Sequence, residues 1–276
     1  MEALPYVRRF RGSVFVMKYG GSFMDSPDPA VRSRVAQDLV FLNFVGIKVV
    51  VVHGGGKAVT KQLESRGLEA KFINGLRVTD ANTIEVVDEV LNGKVNGEVA
   101  EFVSSYDCEV QRLPGKEILS CKKLDQEPDL GFVGAITKVD TTPIKKALED
   151  GLMPIISSTA SDENGQCYNV NADTVAAEVA ISLGARRLVY LSDVPGLLQN
   201  PEDSNSLLSS LPVDQVDSLK SEGIIAKGML PKVNSAVDAL NSGVNRVHFI
   251  DGRLPHSILL EIFTDEGIGT EIVHAS

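Results

Sequence analysis

The chain has 276 residues, 43% hydrophobic and 23% charged, which argues against a disordered or fibrous protein and suits one large α/β domain or two smaller lobes. Its formal net charge of -10 disfavours a general nucleic-acid or acidic-membrane binder. The three cysteines lack metal-ligand spacing and fit a reducing compartment, and no apolar run reaches the length of a membrane span. We expect a cytoplasmic protein that binds neither nucleic acid nor membranes.

The first residues of the chain predict a short amphipathic helix. Leu4, Val7 and Phe10 are spaced three apart, with arginines between and after them. So short a helix is marginal by itself, so its apolar stripe should be buried against another surface. Residues 14–17 then predict a first strand, which ends in a glycine turn that carries Lys18.

The second predicted strand leads directly into a glycine loop. Four consecutive valines, residues 49–52, indicate a strand buried on both faces, as in a parallel sheet covered by helices. His53 and three glycines follow, at the end of an open sheet where ligands usually bind and where glycine lets backbone N–H groups approach an anion. A flexible turn without a ligand is the alternative for this stretch taken alone.

A long helix is predicted over residues 79–103, with a break near Gly93 or Gly97. The following stretch has short alternating pieces around Pro114-Gly115 and around residues 129–134 that are typical of hairpins.

Strand and helix then alternate to the end of the chain. Asn171 should cap a helix that ends at Gly184. Further helices are predicted at 142–149, 213–222, 233–243 and 256–263, and further strands at 154–157, 188–191 and 247–250. This alternation predicts a mainly parallel, doubly wound sheet with helices on both faces and a seam between two lobes at Gly184.

The chain carries six short motifs: Lys18-Tyr19-Gly20-Gly21, His53-Gly54-Gly55-Gly56, Gly75-Leu76-Arg77-Val78-Thr79, Asn169-Val170-Asn171-Ala172-Asp173, Ser192-Asp193-Val194-Pro195-Gly196 and Gly228-Met229-Leu230-Pro231-Lys232. In order and spacing they resemble the N-acetylglutamate kinases of the amino acid kinase family, over nearly the whole chain. The resemblance implies an open αβα sandwich, with an N-terminal lobe at 13–184 for the acyl amino acid and for dimerisation, and a C-terminal lobe at 185–276 for ATP. It also implies phosphorylation of a γ-carboxylate, the committed step of arginine synthesis by the acetylated route.

The resemblance assigns the catalytic roles to two lysines and an aspartate. Lys18 and Lys232 would stabilise charge on the transferring phosphoryl group, and Asp173 would hold both ammonium groups by charge-assisted bonds. The plain alternatives are surface lysines without a task and an aspartate that only stabilises the start of a helix.

Substrate and nucleotide contacts are implied in the same way. Arg77 would grip the α-carboxylate of the substrate, with pairing to Asp80 as the alternative, and Asn169 would hydrogen-bond the substrate. The glycines implied at the phosphoryl and carboxylate oxygens are Gly20, Gly21, Gly55 and Gly56. The nucleotide residues implied are Lys18, Asp193, Met229 and Lys232. Mg²⁺ is expected to be carried by the ATP phosphates, so no metal-binding residue is predicted.

The sequence departs from the family pattern at three places, and two alternative functions stay open. Lys57-Ala58 replaces the usual proline and acidic residue, Lys227 replaces a second glycine, and residues 109–115 replace a glycine-rich hairpin. The chain could phosphorylate another acceptor such as aspartate, glutamate, carbamate, a nucleotide or a different acyl amino acid. It could also be a non-catalytic regulator that binds arginine. A dinucleotide oxidoreductase is disfavoured because no G-x-G-x-x-G opens a first βαβ unit.

The N-terminal helix, residues 1–12, is similar to the extension of arginine-sensitive, hexameric members of the family. This resemblance implies a hexamer built as a trimer of dimers that is linked through the helix, with packing inside the monomer as the alternative. It also implies inhibition by arginine, which would favour a more open arrangement of the lobes, and admits a nitrogen-status signalling protein as partner. The implied arginine site consists of Tyr6, His248, Glu261 and Gly267.

Overall fold

The computed structural model describes residues 3–20, 29–200, 202–203, 205–225 and 228–274. Gly21, part of the predicted glycine turn, and Lys227, a departure from the family pattern, lie outside the described residues. No helix within these ranges is both long enough and apolar enough to cross a membrane.

Fourteen strands occur in the described part of the chain, in three sheets. They are β1 (Val14–Tyr19), β2 (Lys48–His53), β3 (Phe72–Ile73), β4 (Leu76–Arg77), β5 (Val110–Leu113), β6 (Leu119–Lys123), β7 (Gly134–Val139), β8 (Met153–Ser157), β9 (Thr159–Ser161), β10 (Cys167–Asn169), β11 (Arg187–Ser192), β12 (Ser210–Pro212), β13 (Arg246–Asp251) and β14 (Thr270–Val273). Eight of them form the central sheet in the order β12-β14-β13-β11-β1-β2-β8-β5. Its neighbouring strands are parallel except for β13 and β14, which confirms the prediction of a mainly parallel sheet.

Eleven α-helices are described. They are α1 (Ala3–Phe10), α2 (Pro29–Phe44), α3 (Gly56–Ser65), α4 (Ala81–Asp88), α5 (Asn96–Ser104), α6 (Gly115–Ile118), α7 (Thr142–Glu149), α8 (Ala172–Leu183), α9 (Val216–Ser221), α10 (Met229–Asn241) and α11 (Ser257–Phe263). A π-helical segment at Glu89–Val95 joins α4 to α5, and a 3-10 turn at Val213–Gln215 precedes α9.

The valine strand occupies the centre of the molecule. Val50 of β2 lies opposite Val16 of β1 in parallel register, and both side chains are fully buried. One face of the sheet packs on α8 and α10 in one hydrophobic cluster, and the other packs on α2, α4, α5 and α11 in a second. This arrangement of helices on both faces confirms the predicted αβα sandwich.

Helix α8 begins and ends as its sequence predicts. The Asn171 side chain accepts hydrogen bonds from the backbone N–H groups of Asp173 at 2.7 Å and Thr174 at 3.3 Å. Gly184 ends the helix with φ +59°, a left-handed conformation that glycine adopts without a Cβ penalty.

The predicted long helix continues from α4 into α5, and the break expected near Gly93 or Gly97 is a change of helical form, since the π-helical segment contains Gly93. The predicted hairpin at Pro114-Gly115 is wrong. Strand β5 pairs in parallel with β8, and Gly115 begins α6. A Cβ at Gly115 would lie 2.2 Å from the carbonyl oxygen of Ser157, so this glycine serves a close approach between backbones. The second predicted hairpin is confirmed, since β6 and β7 are antiparallel on either side of residues 129–133.

Helix α1 buries only part of its apolar stripe within the chain. Phe10 is buried and its ring packs edge-on against that of Phe15 at 5.3 Å between centroids. Leu4, at the other end of the stripe, is 56% exposed. Of the predicted apolar stripe, only Phe10 is therefore fully buried within the chain.

Candidate active site

Lys18, Asp173 and Lys232 meet at one point although they come from three different elements. Lys18 lies near the end of β1, Asp173 in the first turn of α8, and Lys232 in the first turn of α10. The Lys18 Nζ atom lies 2.9 Å from Asp173 Oδ1 in an ion pair, and Lys232 donates a hydrogen bond to Asp173 Oδ2 at 2.6 Å. One carboxylate therefore spaces and orients two ammonium groups.

Burial and charge act against each other in this cluster. Burial alone would raise the pKa of Asp173, but the charges of Lys18 and Lys232 outweigh it and hold this pKa below its ordinary value. Burial lowers the pKa of Lys18, and Asp173 opposes the shift only in part while Lys232 adds to it. The aspartate is thus an anion at neutral pH.

The glycines of the two turns allow close approaches. A Cβ at Gly20 would lie 2.7 Å from Nζ and 2.8 Å from Cε of Lys18, so the lysine folds directly over this residue. A Cβ at Gly55 would lie 2.7 Å from Leu91 Cδ2. Gly56 begins α3, so unpaired backbone N–H groups occur at this helix start. A side chain at Gly20 or Gly55 would therefore require a neighbouring side chain to shift, whereas Gly56 has room for a Cβ.

Arg77 lies beside the start of α3 and retains an unused donor. Its Nη2 atom donates to the carbonyl oxygen of Gly56 and to Thr60 Oγ1, both at 2.8 Å, and its guanidinium lies 4.6 Å above the Phe72 ring. The Nη1 atom is buried without a hydrogen-bond partner in the described structure. Asp80 instead accepts from the N–H of Thr83 and caps α4. The arginine is therefore held in place with one donor left for a ligand.

The remaining predicted site residues are Asn169, Asp193 and Met229. The side-chain amide of Asn169 donates to Thr79 Oγ1 at 3.3 Å. Asp193 follows β11 in an exposed loop, and its charge acts on Lys18. Met229 begins α10 and packs partly against the core.

A cavity of about 1140 Å³ opens beside the cluster. Asp173 and Lys232 line it, together with Thr174, whereas Lys18, Arg77 and Asn169 are not among its described lining residues. Much of the remaining wall comes from the connection between β6 and β7 and from the start of β7, including residues 133–136. Sequence reasoning missed this wall, because hairpin residues carry no chemical motif that marks them as neighbours of α8 and α10.

A second, smaller cavity of about 270 Å³ brings together the four residues of the predicted arginine site, Tyr6, His248, Glu261 and Gly267. His248 Nδ1 lies 2.7 Å from Glu261 Oε1, and both side chains are buried. Tyr6 donates a hydrogen bond to Asp265.

Glu261 is already well supplied with donors. Its Oε2 accepts from the N–H groups of Ile268 at 2.8 Å and Gly269 at 2.9 Å. Burial raises its pKa, but the bonds from His248 and these amides outweigh burial and keep it below the ordinary value. Arg187 and Arg246, the first residues of β11 and β13, also line this cavity, which places it towards the amino ends of these strands.

The site places two ammonium groups on one carboxylate, beside glycine turns at the ends of parallel strands. This arrangement suits the stabilisation of a transferring phosphoryl group, so the fold and the site define a kinase. Residues 13–251 match the model described as the amino acid kinase family, and the chain belongs to this family.

Relatives along nearly the whole chain are named acetylglutamate kinase. The protein of Syntrophomonas wolfei subsp. wolfei is 47% identical over 276 residues, which cover 99% of this chain and 96% of the relative. That of Thermoanaerobacter sp. (strain X514) is 44% identical over 274 residues, which cover 99% and 91% respectively.

Solved structures share the fold. N-acetylglutamate synthase from Neisseria gonorrhoeae, complexed with coenzyme A and N-acetyl-glutamate, aligns with a TM-score of 0.87 and 27% identity, over 100% of this chain and 62% of that one. Carbamate kinase from Giardia lamblia bound to AMP-PNP aligns with a TM-score of 0.70 over 96% of this chain and 99% of that one. At 14% identity it is a likeness of fold alone.

Proposed function

We propose that this chain is an acetylglutamate kinase, which transfers the γ-phosphoryl group of ATP to the γ-carboxylate of N-acetyl-L-glutamate in the second step of arginine biosynthesis. The observation that carries the proposal is the pair of lysines, Lys18 and Lys232, held by the two oxygens of Asp173. Full-length relatives of that name at 42% to 47% identity support the choice of substrate.

The reaction needs charge stabilisation more than it needs a base. The γ-carboxylate is ionised at neutral pH, so its oxygen forms the new bond to phosphorus while the bond to the bridging oxygen breaks and ADP leaves. Lys18 from β1 and Lys232 from α10 would flank the transferring group and offset its charge. Asp173 contacts both lysine Nζ atoms and would hold them in position towards the phosphoryl oxygens.

The substrate would be held on the side of the glycine loops. The buried, unpaired Nη1 of Arg77 suits the α-carboxylate, because a guanidinium can bind a carboxylate through more than one N–H group. Backbone amides at Gly20, Gly55 and Gly56 would bind the phosphoryl and carboxylate oxygens. Asn169 would supply a further hydrogen bond. These residues belong to the predicted N-terminal lobe.

The nucleotide would lie on the other side of the cluster, where Asp193 follows β11 and Met229 begins α10. Among the described residues, no group of three or more His, Cys, Asp or Glu side chains could hold a metal ion. We propose that Mg²⁺ is carried by the ATP phosphates, as is usual for this small hard cation with nucleotides, and that it would supply further charge neutralisation there.

In the deciding experiment the purified protein is incubated with MgATP and one acceptor at a time. The acceptors are N-acetyl-L-glutamate, L-glutamate, L-aspartate and carbamate. Hydroxylamine traps acyl phosphates, and released ADP measures turnover. We expect turnover with N-acetyl-L-glutamate and its loss in Asp173→Asn. Turnover with another acceptor instead would indicate a related kinase. Arginine binding without turnover on any acceptor would indicate the non-catalytic regulator.

Regulation by arginine is the second part of the proposal. The smaller cavity supports it, because Tyr6, His248, Glu261 and Gly267 share its wall with acidic groups suited to a guanidinium. Arginine would bind there and favour an open arrangement of the lobes. The exposed Leu4 supports a contact of α1 with another subunit, which would link dimers into a hexamer.

A further inference from the structure

The π-helical segment Glu89–Val95 packs against the glycine loop that follows β2. On the apolar side, Leu91 and Val95 fill the space beside Gly55, where an added Cβ would lie 2.7 Å and 3.2 Å from their methyl groups. On the polar side, Asn96 directly follows the segment and its Nδ2 lies 3.0 Å from His53 Nε2. One short stretch of helix therefore contacts the loop with both packing and a hydrogen bond.

The π-helical segment is in turn bound by Arg112, which projects from the edge strand β5. Its Nη2 donates to the carbonyl oxygens of Asn92 and Gly93, both at 3.0 Å, and its Nε donates to Asn96 Oδ1 at 2.8 Å. π-helical turns are rare and occur often at functional sites. Three bonds from a single guanidinium span this turn, so the turn depends on a residue outside its own helix.

The hydrogen bonds between Arg112 and the loop can run in only one direction, which Arg112 and the carbonyl oxygen of Ile155 both fix, because Asn96 Nδ2 also donates to that oxygen at 3.0 Å. A guanidinium only donates, so the Asn96 atom that faces it must be the carbonyl oxygen. The Asn96 amide group then points at His53 Nε2, which must accept. The proton of the neutral imidazole is therefore on Nδ1, which lies 2.8 Å from the carbonyl oxygen of Gly54 and donates to it.

The protonation state of His53 agrees with this series of hydrogen bonds. The residue is fully buried, and burial lowers its pKa to about 4, so it is neutral at the pH of the cell. A neutral ring can donate to Gly54 and accept from Asn96 at the same time, whereas a protonated ring would donate at both nitrogens.

We propose that Arg112 is a positioning residue for phosphoryl transfer, acting through Asn96 and His53 and through the π-helical segment to hold the glycine loop against its ligand. This inference rests on the proposed kinase function for its activity readout. Residues 109–115, one of the departures from the family pattern, thereby acquire a role in the reaction although Arg112 lies in a different strand from the loop.

The test compares Arg112→Met, Arg112→Lys and the matched control Arg66→Met in the full-length protein. Arg66 pairs with Glu89 on the exposed side of the same helix. With MgATP and N-acetyl-L-glutamate, Arg112→Met should lower kcat roughly ten- to hundredfold, because small displacements of positioned groups cost about that much, with little change in the KM for ATP. The kcat of Arg112→Lys, which cannot make all three bonds, should lie between those of Arg112→Met and the parent. The kcat of Arg66→Met should match that of the parent.

The second readout is the nitrogen-15 NMR signal of His53 Nε2 in histidine-labelled protein, in which His53→Gln assigns the signal among four histidines. The parent and Arg112→Met should both show the Nδ1-protonated ring, because the carbonyl oxygens of Gly54 and Ile155 fix this tautomer without Arg112. The Nε2 signal should nevertheless shift in Arg112→Met, because Asn96 loses the bond that holds its carbonyl oxygen. Unchanged kcat, or a lower kcat with an unchanged Nε2 signal, would overturn the proposal. If Arg112→Met does not fold, Arg112→Lys decides by the same two criteria. An inactive parent would contradict the kinase function, while the Nε2 signal would still decide whether Arg112 orders the loop.

Discussion

Asp173 Oδ2 accepts a hydrogen bond from Lys232 Nζ at 2.6 Å, although 59 residues separate the two in sequence. The bond joins the first turns of α8 and α10, and the same aspartate also contacts Lys18. The charge arrangement of the proposed site is therefore built from helix and strand ends that the core holds in place.

The first prediction concerns the two lysines. Lys18→Ala and Lys232→Ala should each lower kcat by roughly 10²-fold or more, with smaller effects on KM, because their charges act mainly on the transferring group. Steady-state kinetics with MgATP and N-acetyl-L-glutamate measure both constants. Lys48→Ala, which removes an exposed lysine at the start of β2, is the control. Unchanged turnover in either variant would remove that lysine from the mechanism.

The second prediction concerns Arg77. Arg77→Lys should mainly raise the KM for N-acetyl-L-glutamate, since a compact ammonium cannot both keep the bonds to Gly56 and Thr60 and offer a further donor to a carboxylate. The KM for ATP should stay close to that of the parent. A variant in which only the ATP constant changes would show that Arg77 does not hold the acceptor.

The third prediction concerns pH and stability. The pKa of His53 is about 4 in the folded chain against an ordinary 6.5, so between these values the unfolded chain binds a proton that the folded chain does not. Stability should therefore fall as pH falls through this window, by about 3 kcal/mol from this group.

Urea unfolding across that window measures the slope. His53→Gln should flatten it, and His274→Gln, which changes a more exposed ring, should not. An equal slope in His53→Gln and the parent would contradict the assignment of the effect to this residue.

The fourth prediction concerns arginine. Deletion of residues 1–12 should leave an active dimer with weakened inhibition, measured by sedimentation and by titration of the activity with arginine. Glu261→Gln should also weaken inhibition while the hexamer remains. A full-length protein that sediments as a dimer and ignores saturating arginine would contradict this part of the proposal.

Glu261→Gln should in addition cost some stability, because the carboxylate accepts from His248 and from two backbone amides. Glu266→Gln, at an exposed position of the same cavity, is a matched control for the loss of charge. Equal loss of inhibition in both variants would indicate a general charge effect.

The central sheet could be predicted from local patterns because each signal lies within its own element. The run of valines marks a strand buried on both faces, and Asn171 and Gly184 mark the ends of α8 through bonds and backbone angles that involve close neighbours. Asp173 could be placed beside the lysines only through the family resemblance, since their meeting depends on tertiary contacts.

The errors arose where a distant residue decides the local structure. The π-helical segment depends on donors from Arg112 in β5, which no helical pattern encodes. The sequence of β5 predicts part of a hairpin, because an edge strand has the same alternation of apolar and polar residues as a hairpin strand. Its true neighbour, β8, lies some forty residues further along the chain.

The strands β11 and β13 run side by side, in register, and their amino ends line the smaller cavity. Arg187 and Arg246, at their amino ends, line the smaller cavity, while Asp193 follows the carboxyl end of β11 towards Lys18. A strand of six residues spans about 20 Å, so the two regions share a scaffold without sharing side chains. The proposed response to an effector at one end could therefore change, or be lost, through natural variation while the proposed chemistry at the other end is inherited intact.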